Sequence, residues 1–436
     1  MKIVIVGGSF SGIHCALKAR ELYPTARITV IEKQSEIGYI PSGLTLYLND
    51  LISDLDEAHF IKASYLESKG ITLRLSEEVM SYQFDKKQLT TDKEIIFYDR
   101  LVLATGSSQS SYKLSMEHAC LLTYKTKASA QQVLQSIKTK HKLLIVGAGQ
   151  AGMEMASALY HQNKEVEIIE SMSYPLYKYF DQGFLSGFQR YLNGLDGITF
   201  TFNETVKAFE GEDEVVLKGN EITRQGEAAV LTVNVRPEFS NVDQQLISNL
   251  DGTLSVSPYL ETSEEDVFAI GDLIQVPDRV SGHPVYLPLI SNAIKSGVVC
   301  AENLEKKTVA YTGTLRIVGT FLFDYYLASC GLTESDSFLY EGEVAVADFV
   351  KTVSTLNQET IHMKYVFDKE THRLLGVQLL SKANILERIN RYALAIETNQ
   401  TIEELEQNGM FYHPFFGSQV DGYNLAISKD VDKGEI

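Results

Sequence analysis

The sequence predicts an α/β fold in which one βαβ unit occurs twice, followed by a smaller α+β module. Three observations carry that prediction. A strand running into a glycine-rich turn and a helix opens the chain as MKIVIVGGSFSG. The same arrangement returns about 140 residues later as HKLLIVGAGQAG. From about residue 308, alternating strands lead into two helices, the pattern of a separate α+β layer.

In the first unit, residues 2–6 form an apolar strand. The helix after the turn carries Ile13, Ala16, Leu17 and Arg20 and stops near Tyr23-Pro24. A second strand, 27–31, ends in Glu32. A strand, a glycine turn, a helix and an acid about twenty residues on form the Rossmann-like layout that binds a dinucleotide. Gly7 lets the chain turn tightly, and Gly12 lets helix and strand pack closely. Backbone N–H groups between them face a pyrophosphate. Glu32 is placed to accept hydrogen bonds from an adenosine ribose. The middle position of the glycine motif is Ser9, with Gly8 before it.

Residues 38–48 read as an extended loop entering a helix, 71–75 as a strand and 81–96 as a hairpin region. Residues 99–106, DRLVLATG, read as a buried parallel strand ending in a Thr105-Gly106 turn. The second unit holds a complete G-x-G-x-x-G at Gly147, Gly149 and Gly152, a helix with Met153, Ala156 and Leu159, and a strand over 165–169 ending at Glu170. Two such sites in one chain imply two dinucleotides meeting face to face. A carboxylate suits a free ribose 2′-OH, whereas a 2′-phosphate wants arginine. Glu170 therefore predicts NADH rather than NADPH at the second site, and Ser171 and Met172 after it offer no cation.

Further strands are expected over 229–235, ahead of Arg236-Pro237, and over 266–272, with a helix over 297–304. The closing module is read as strands 315–323, 343–350, 360–367 and 374–380 and helices 384–396 and 401–407.

A net charge of −18 with no Lys/Arg-rich block excludes nucleic acid as a partner. No run of eighteen apolar residues is present, so no membrane span is expected, and the polar SKDVDKGEI tail is no surface anchor. The chain opens on a structural strand without a visible signal peptide. Cys15, Cys120, Cys300 and Cys330 are scattered, with no paired spacing for a redox disulfide or zinc. This composition predicts a cytoplasmic protein.

Taken together, these residues resemble the pyridine nucleotide-disulfide oxidoreductases, and within them the NADH peroxidase, NADH oxidase and coenzyme A-disulfide reductase group. The resemblance rests on GGSFSG with Glu32, ATG at 104–106, GAGQAGME at 147–154, VRP at 235–237 and AIGD at 269–272. FDYYLAS at 323–329 and the aromatic FYHP at 411–414 extend it to the last module. It implies FAD at the first site, with Lys33, Val79, Thr105 and Gly106 beside it and Asp272 bonding its ribityl or phosphate oxygens. It also implies NADH at the second site, with Glu154 in the cofactor-binding set and the nicotinamide on the flavin ring. The implied domains are residues 1–111 and 243–307 for FAD, 112–242 for NAD(H), and 308–436 for dimerisation, giving a homodimer.

The departures from that family matter most. Where the resemblance expects a cysteine beside the flavin, the chain reads Pro41-Ser42-Gly43. A serine hydroxyl forms neither a sulfenic acid nor a mixed disulfide. The partner histidine corresponds to Phe10, and the aromatic gating the nicotinamide pocket to Gln150. Ser329-Cys330-Gly331 looks like the missing motif but sits in the last module, and Cys15 reads as core. The resemblance carries the His413 tail toward the partner subunit's flavin pocket, as an acid or substrate contact or as packed aromatic chain.

The expected function is an FAD-dependent NADH oxidoreductase with a non-thiol acceptor: oxygen giving hydrogen peroxide, a quinone or a carrier. Ser42, Phe10 and His413 are the candidate catalytic positions. The alternatives are a flavin-bearing, redox-responsive partner with little turnover and a reductase of a small iron–sulfur or rubredoxin-like carrier.

Overall fold

The computed structural model describes residues 1–109, 121–211, 214–233, 235–239, 245–354, 356–409 and 413–415. Cys120, the aromatics at 411–412 and the polar tail lie outside them.

The two predicted units form two five-stranded parallel sheets. In the first, the order is Val267–Ala269, Arg100–Leu103, Lys2–Val6, Arg27–Glu32, Ile71–Leu75. In the second, it is Ile198–Thr201, Glu165–Ile169, Lys142–Val146, Ala228–Leu231, Leu121–Leu122. Both central strands are nearly all apolar and buried, as strands covered on both faces require. The helices Phe10–Leu22 and Gln150–His161 follow the two glycine turns. The first ends one residue before Tyr23-Pro24, because proline has no N–H to continue the ladder.

Two short antiparallel strands, Ser107–Gln109 and Val235–Pro237, carry the chain out of the first sheet and back to it. The strand expected over 229–235 is thus broken in two, the first part pairing inside the second sheet and the rest in this crossing. The hairpin expected over 81–96 is a three-stranded meander, Val79–Gln83, Gln88–Thr91 and Ile95–Phe97. The helix expected over 297–304 begins earlier and spans Ile290–Asn303, packing on Phe10–Leu22 where Gly297 leaves room beside the Ser11 carbonyl.

The last module is a five-stranded antiparallel sheet, ordered Val318–Leu322, Tyr325–Gly331, Leu374–Ser381, Thr360–Asp368, Val344–Thr352. The helices Arg388–Glu397 and Ile402–Gln407 accompany it. The second strand of that sheet is absent from the sequence reading. Its hairpin turn is Phe323-Asp324, with φ of 47° and 68°, a conformation that asparagine and glycine normally signal. Tertiary contacts hold it instead: the Phe323 ring is buried and its N–H donates to the Ser157 hydroxyl at 2.9 Å. Among the described residues, no helix is long and apolar enough to cross a membrane.

Candidate functional site: two glycine turns and the crossing between them

The two turns are built alike, bond for bond. The Gly7 N–H donates to the Ile31 carbonyl and the Gly147 N–H to the Ile169 carbonyl, both at 2.8 Å. Gly7 and Gly147 have φ of 116° and 105°, a region open to glycine. A Cβ on Gly12 would stand 2.0 Å from the Gly7 carbonyl oxygen, and one on Gly152 would stand 1.9 Å from that of Gly147. Ser9 and Gly149 precede their helices with extended backbones and side-chain caps at neither, so the first-turn N–H groups face outward.

Each turn is tied to its acid. Glu32 Oε2 accepts from the Gly8 N–H at 2.7 Å, and Glu170 Oε2 accepts from the Ala148 N–H at 2.6 Å. Glu32 Oε1 takes the Gln34 N–H at 2.9 Å, while Glu170 Oε1 takes the Met172 N–H at 2.8 Å and the Ser171 hydroxyl at 2.9 Å. Both side chains are therefore held as hydrogen-bond acceptors beside their turns.

A cleft of about 650 Å³, open to solvent, lies over the first turn, lined by Gly7, Glu32, Lys33, Val79, Thr105 and Glu238 among others. Sequence positions far apart thus meet in one cleft. A Cβ on Gly7 would come within 2.1 Å of the Ala104 carbonyl oxygen, so only a glycine lets the first turn lie this close to the ATG turn at the edge of the cleft. Gly106, also at positive φ, accepts the Glu238 N–H at 3.0 Å, and the Thr105 hydroxyl donates to the Glu238 carbonyl.

Asp272 sits in a single helical turn after the strand Val267–Ala269. Its carboxylate accepts from the Ser107 hydroxyl at 2.5 Å and lies 3.6 Å from the Lys125 ammonium, which also bonds Ser107. Burial pushes the Lys125 ammonium below its ordinary range, with Asp272 opposing the shift. Lys125 and Glu238 are site residues the sequence reading missed. Glu238 was within reach of it, standing directly after the VRP motif, whereas Lys125 sits in no motif and only the fold brings it to Asp272.

Glu154, one turn into the second helix, accepts from Gln150 Nε2 at 3.0 Å and from the Thr320 hydroxyl of the last module at 2.8 Å, both on Oε1. Burial pushes its carboxyl above the usual carboxylate range, with those two bonds opposing.

Phe10 opens the first helix and stacks on Phe60, centroids 4.2 Å apart and rings 10° from parallel. Ser42 precedes the helix Gly43–Leu48, and its hydroxyl makes no cap bond there. Nearby, the Tyr39 phenol is buried without a hydrogen-bond partner, in contact range of any Cβ on Gly43. The described cysteines Cys15, Cys300 and Cys330 are all free and buried, and burial pushes the Cys300 and Cys330 thiols up. Neither of those two therefore offers a thiolate. His413 accepts the Phe415 N–H at 3.2 Å, beside a Pro414 carbonyl held by Ser354 and Leu356 of its own chain.

Residues 1–297 match the pyridine nucleotide-disulphide oxidoreductase family, and residues 317–422 match its dimerisation domain. The chain belongs to that family. It is 26% identical over 447 residues to an NADH oxidase of Enterococcus faecalis, covering 99% of this chain and 100% of that one. It is 28% identical to an NADH oxidase of Lactococcus lactis, covering 98% and 99%. Among solved structures, a pyridine nucleotide-disulfide family oxidoreductase from Enterococcus faecalis V583 matches with 35% identity and a TM-score of 0.86 over 98% of this chain and 97% of that one. The water-forming NADH oxidase from Lactobacillus brevis, bound to NADH, matches with 25% identity and a TM-score of 0.92 over the same shares. Both glycine turns fall within the first match and the sheet of the last module within the second, so family and fold agree with the geometry above.

Proposed function

We propose that this chain is an FAD-dependent NADH oxidoreductase whose electron acceptor is not a thiol, and that in its simplest form it takes NADH, a proton from solvent and oxygen to NAD⁺ and hydrogen peroxide. The observation that carries the acceptor is Ser42, at the position where the family resemblance expects a redox cysteine. Phe10 reinforces it, since an aromatic ring stacked on Phe60 can neither hold a thiolate nor carry a proton.

Bound FAD supplies a two-electron carrier between NADH and the acceptor. The chain's part is binding and orientation. The first turn (Gly7, Gly8, Ser9 and Gly12) takes the FAD pyrophosphate, Glu32 its ribose, Lys33 and Val79 border the adenosine end, and Asp272 takes the ribityl side with Thr105-Gly106 alongside. The second turn (Gly147, Gly149 and Gly152) takes NADH, with Glu170 selecting the free 2′-OH and Glu154 bordering the nicotinamide end. Residues 1–111 and 243–307 form the FAD part, 112–242 the NADH part and 308–436 the dimer-forming part. A homodimer and a cytoplasmic location complete this reading, as does a place for His413 at the partner subunit's flavin.

One equivalent of NADH added anaerobically should bleach the flavin band, and air should then restore it with one hydrogen peroxide per NADH. A flavin that neither NADH nor NADPH bleaches would leave the binding-protein reading instead. NADH-driven disulfide or peroxide reduction would overturn the non-thiol acceptor.

A further inference from the structure

The segment that returns from the second sheet crosses the rim of the first cleft, and one of its residues is fastened at three points. Glu238 donates its N–H to the Gly106 carbonyl at 3.0 Å and accepts the Thr105 hydroxyl on its own carbonyl. Its carboxylate pairs with the Lys33 ammonium at 2.5 Å. Lys33 directly follows Glu32, so this third bond spans from the wall carrying the ribose acid to the returning strand. Both residues line the cleft that Gly7 floors.

Charge gives the bond its meaning. Among the described residues, four carboxylates line that cleft, Glu32, Glu77, Glu78 and Glu238, against the single cation Lys33. Glu77 is answered from outside by Arg74 at 2.8 Å, and Glu32 by backbone N–H groups. A free Glu238 carboxylate would face the phosphates of a dinucleotide in the same cleft, and like charges at that range repel. Paired with Lys33, it does not.

We propose that the Lys33–Glu238 ion pair is a latch that fastens the returning strand across the adenosine end of FAD, so that Glu238 governs how tightly the cofactor is retained. The inference rests on FAD being the ligand of the first site. Because Val235–Pro237 pairs with Ser107–Gln109, opening the latch also loosens the crossing between the two sheets. Both side chains are partly exposed, so the latch weakens as salt screens it.

The test is the rate at which the purified holoenzyme releases FAD, read by the rise in free-flavin fluorescence on dilution. Glu238→Gln should release FAD about two- to fivefold faster at low salt. The difference should vanish in about 1 M salt, where screening is nearly complete. The charge swap Lys33→Glu with Glu238→Lys should recover much of the loss. If instead Lys33 serves the FAD phosphates and Glu238 merely competes for it, Glu238→Gln will hold FAD more tightly, and the latch is overturned. An unchanged rate overturns it as well. Should the variant not fold, the wild type decides: release that speeds up with salt supports the latch, and salt-independent release refutes it. A wild type that carries no FAD at all would refute the cofactor assignment, a different failure.

Discussion

Asp181 and Lys364 form an ion pair at 2.9 Å with both side chains almost fully buried, joining the loop beyond Glu170 to the antiparallel sheet of the last module. Asp181 also accepts from the Ser335 N–H at 2.9 Å, the Glu334 N–H at 3.1 Å and Gln378 Nε2 at 2.6 Å, and Lys364 reaches Glu334 at 2.5 Å. Every one of these partners of the Asp181 side chain comes from the last module. The loop beyond the second turn is thereby tied to that sheet.

Removing one member leaves the other buried and short of a counter-charge. Asp181→Ala should cost about 3–5 kcal/mol in urea unfolding. Burial alone would raise the Asp181 carboxyl, but bonds from Ser335, Lys364 and Gln378 outweigh it and hold the group below its ordinary range. Its stabilisation is complete above the unfolded value of about 3.9 and is lost as pH falls. Burial opposes the Lys364 ammonium, yet Glu334 and Asp181 raise it, so that contribution is lost only as pH rises past about 10.4. The unfolding midpoint should fall at both extremes, and Asp181→Asn should flatten the acid limb.

Glu154→Gln should raise the thermal midpoint at neutral pH. Burial lifts the Glu154 carboxyl above its unfolded value, so its contribution is present below about pH 4.3 and is lost as pH rises. A glutamine oxygen can still accept from Gln150 and Thr320 without that loss. A lower midpoint in the variant at neutral pH would contradict the assignment.

Glu170→Ala should raise the KM for NADH by about tenfold to a hundredfold, the worth of charge-assisted bonds. FAD content should stay at one per chain, because the acid serves only the second turn. Loss of both cofactors together would mean that the two turns are not independent.

Gly7→Ala and Gly147→Ala should separate the two sites. The first places a Cβ 2.1 Å from the Ala104 carbonyl oxygen and should yield protein without bound FAD. The second places one 2.4 Å from Val233 Cγ1, at φ of 105°, and should keep a flavin that NADH no longer bleaches. Absorbance spectra before and after NADH distinguish the two.

Ser42→Ala should leave both the anaerobic bleaching rate and the hydrogen peroxide yield within about twofold, since the hydroxyl has no redox chemistry to lose. A large drop in either would give Ser42 a direct part in handling the acceptor.

Much of the site was legible because it is local. Glycine at fixed offsets, followed by an acid at the end of the next strand, is a pattern that backbone geometry imposes within about thirty residues. Glu32 and Glu170 accordingly stand where the reading put them, each on the N–H of its turn. The Phe323-Asp324 hairpin was not legible, because the residues that hold its positive φ values are 166 positions away at Ser157. Lys125 beside Asp272, Thr320 on Glu154 and Lys33 on Glu238 are likewise long-range pairings between residues that carry no pattern of their own.

The sequence by itself determined the two glycine-turn βαβ units, the acid that closes each of them, and the lack of a thiol at position 42. Each follows from what a residue type can do in a local backbone setting. Only the tertiary structure decided which charges neutralise one another across the first cleft and how the second turn is anchored to the last module. Ion pairs and hydrogen bonds form between groups that folding brings within about 3 Å, and distance along the chain carries no record of that approach.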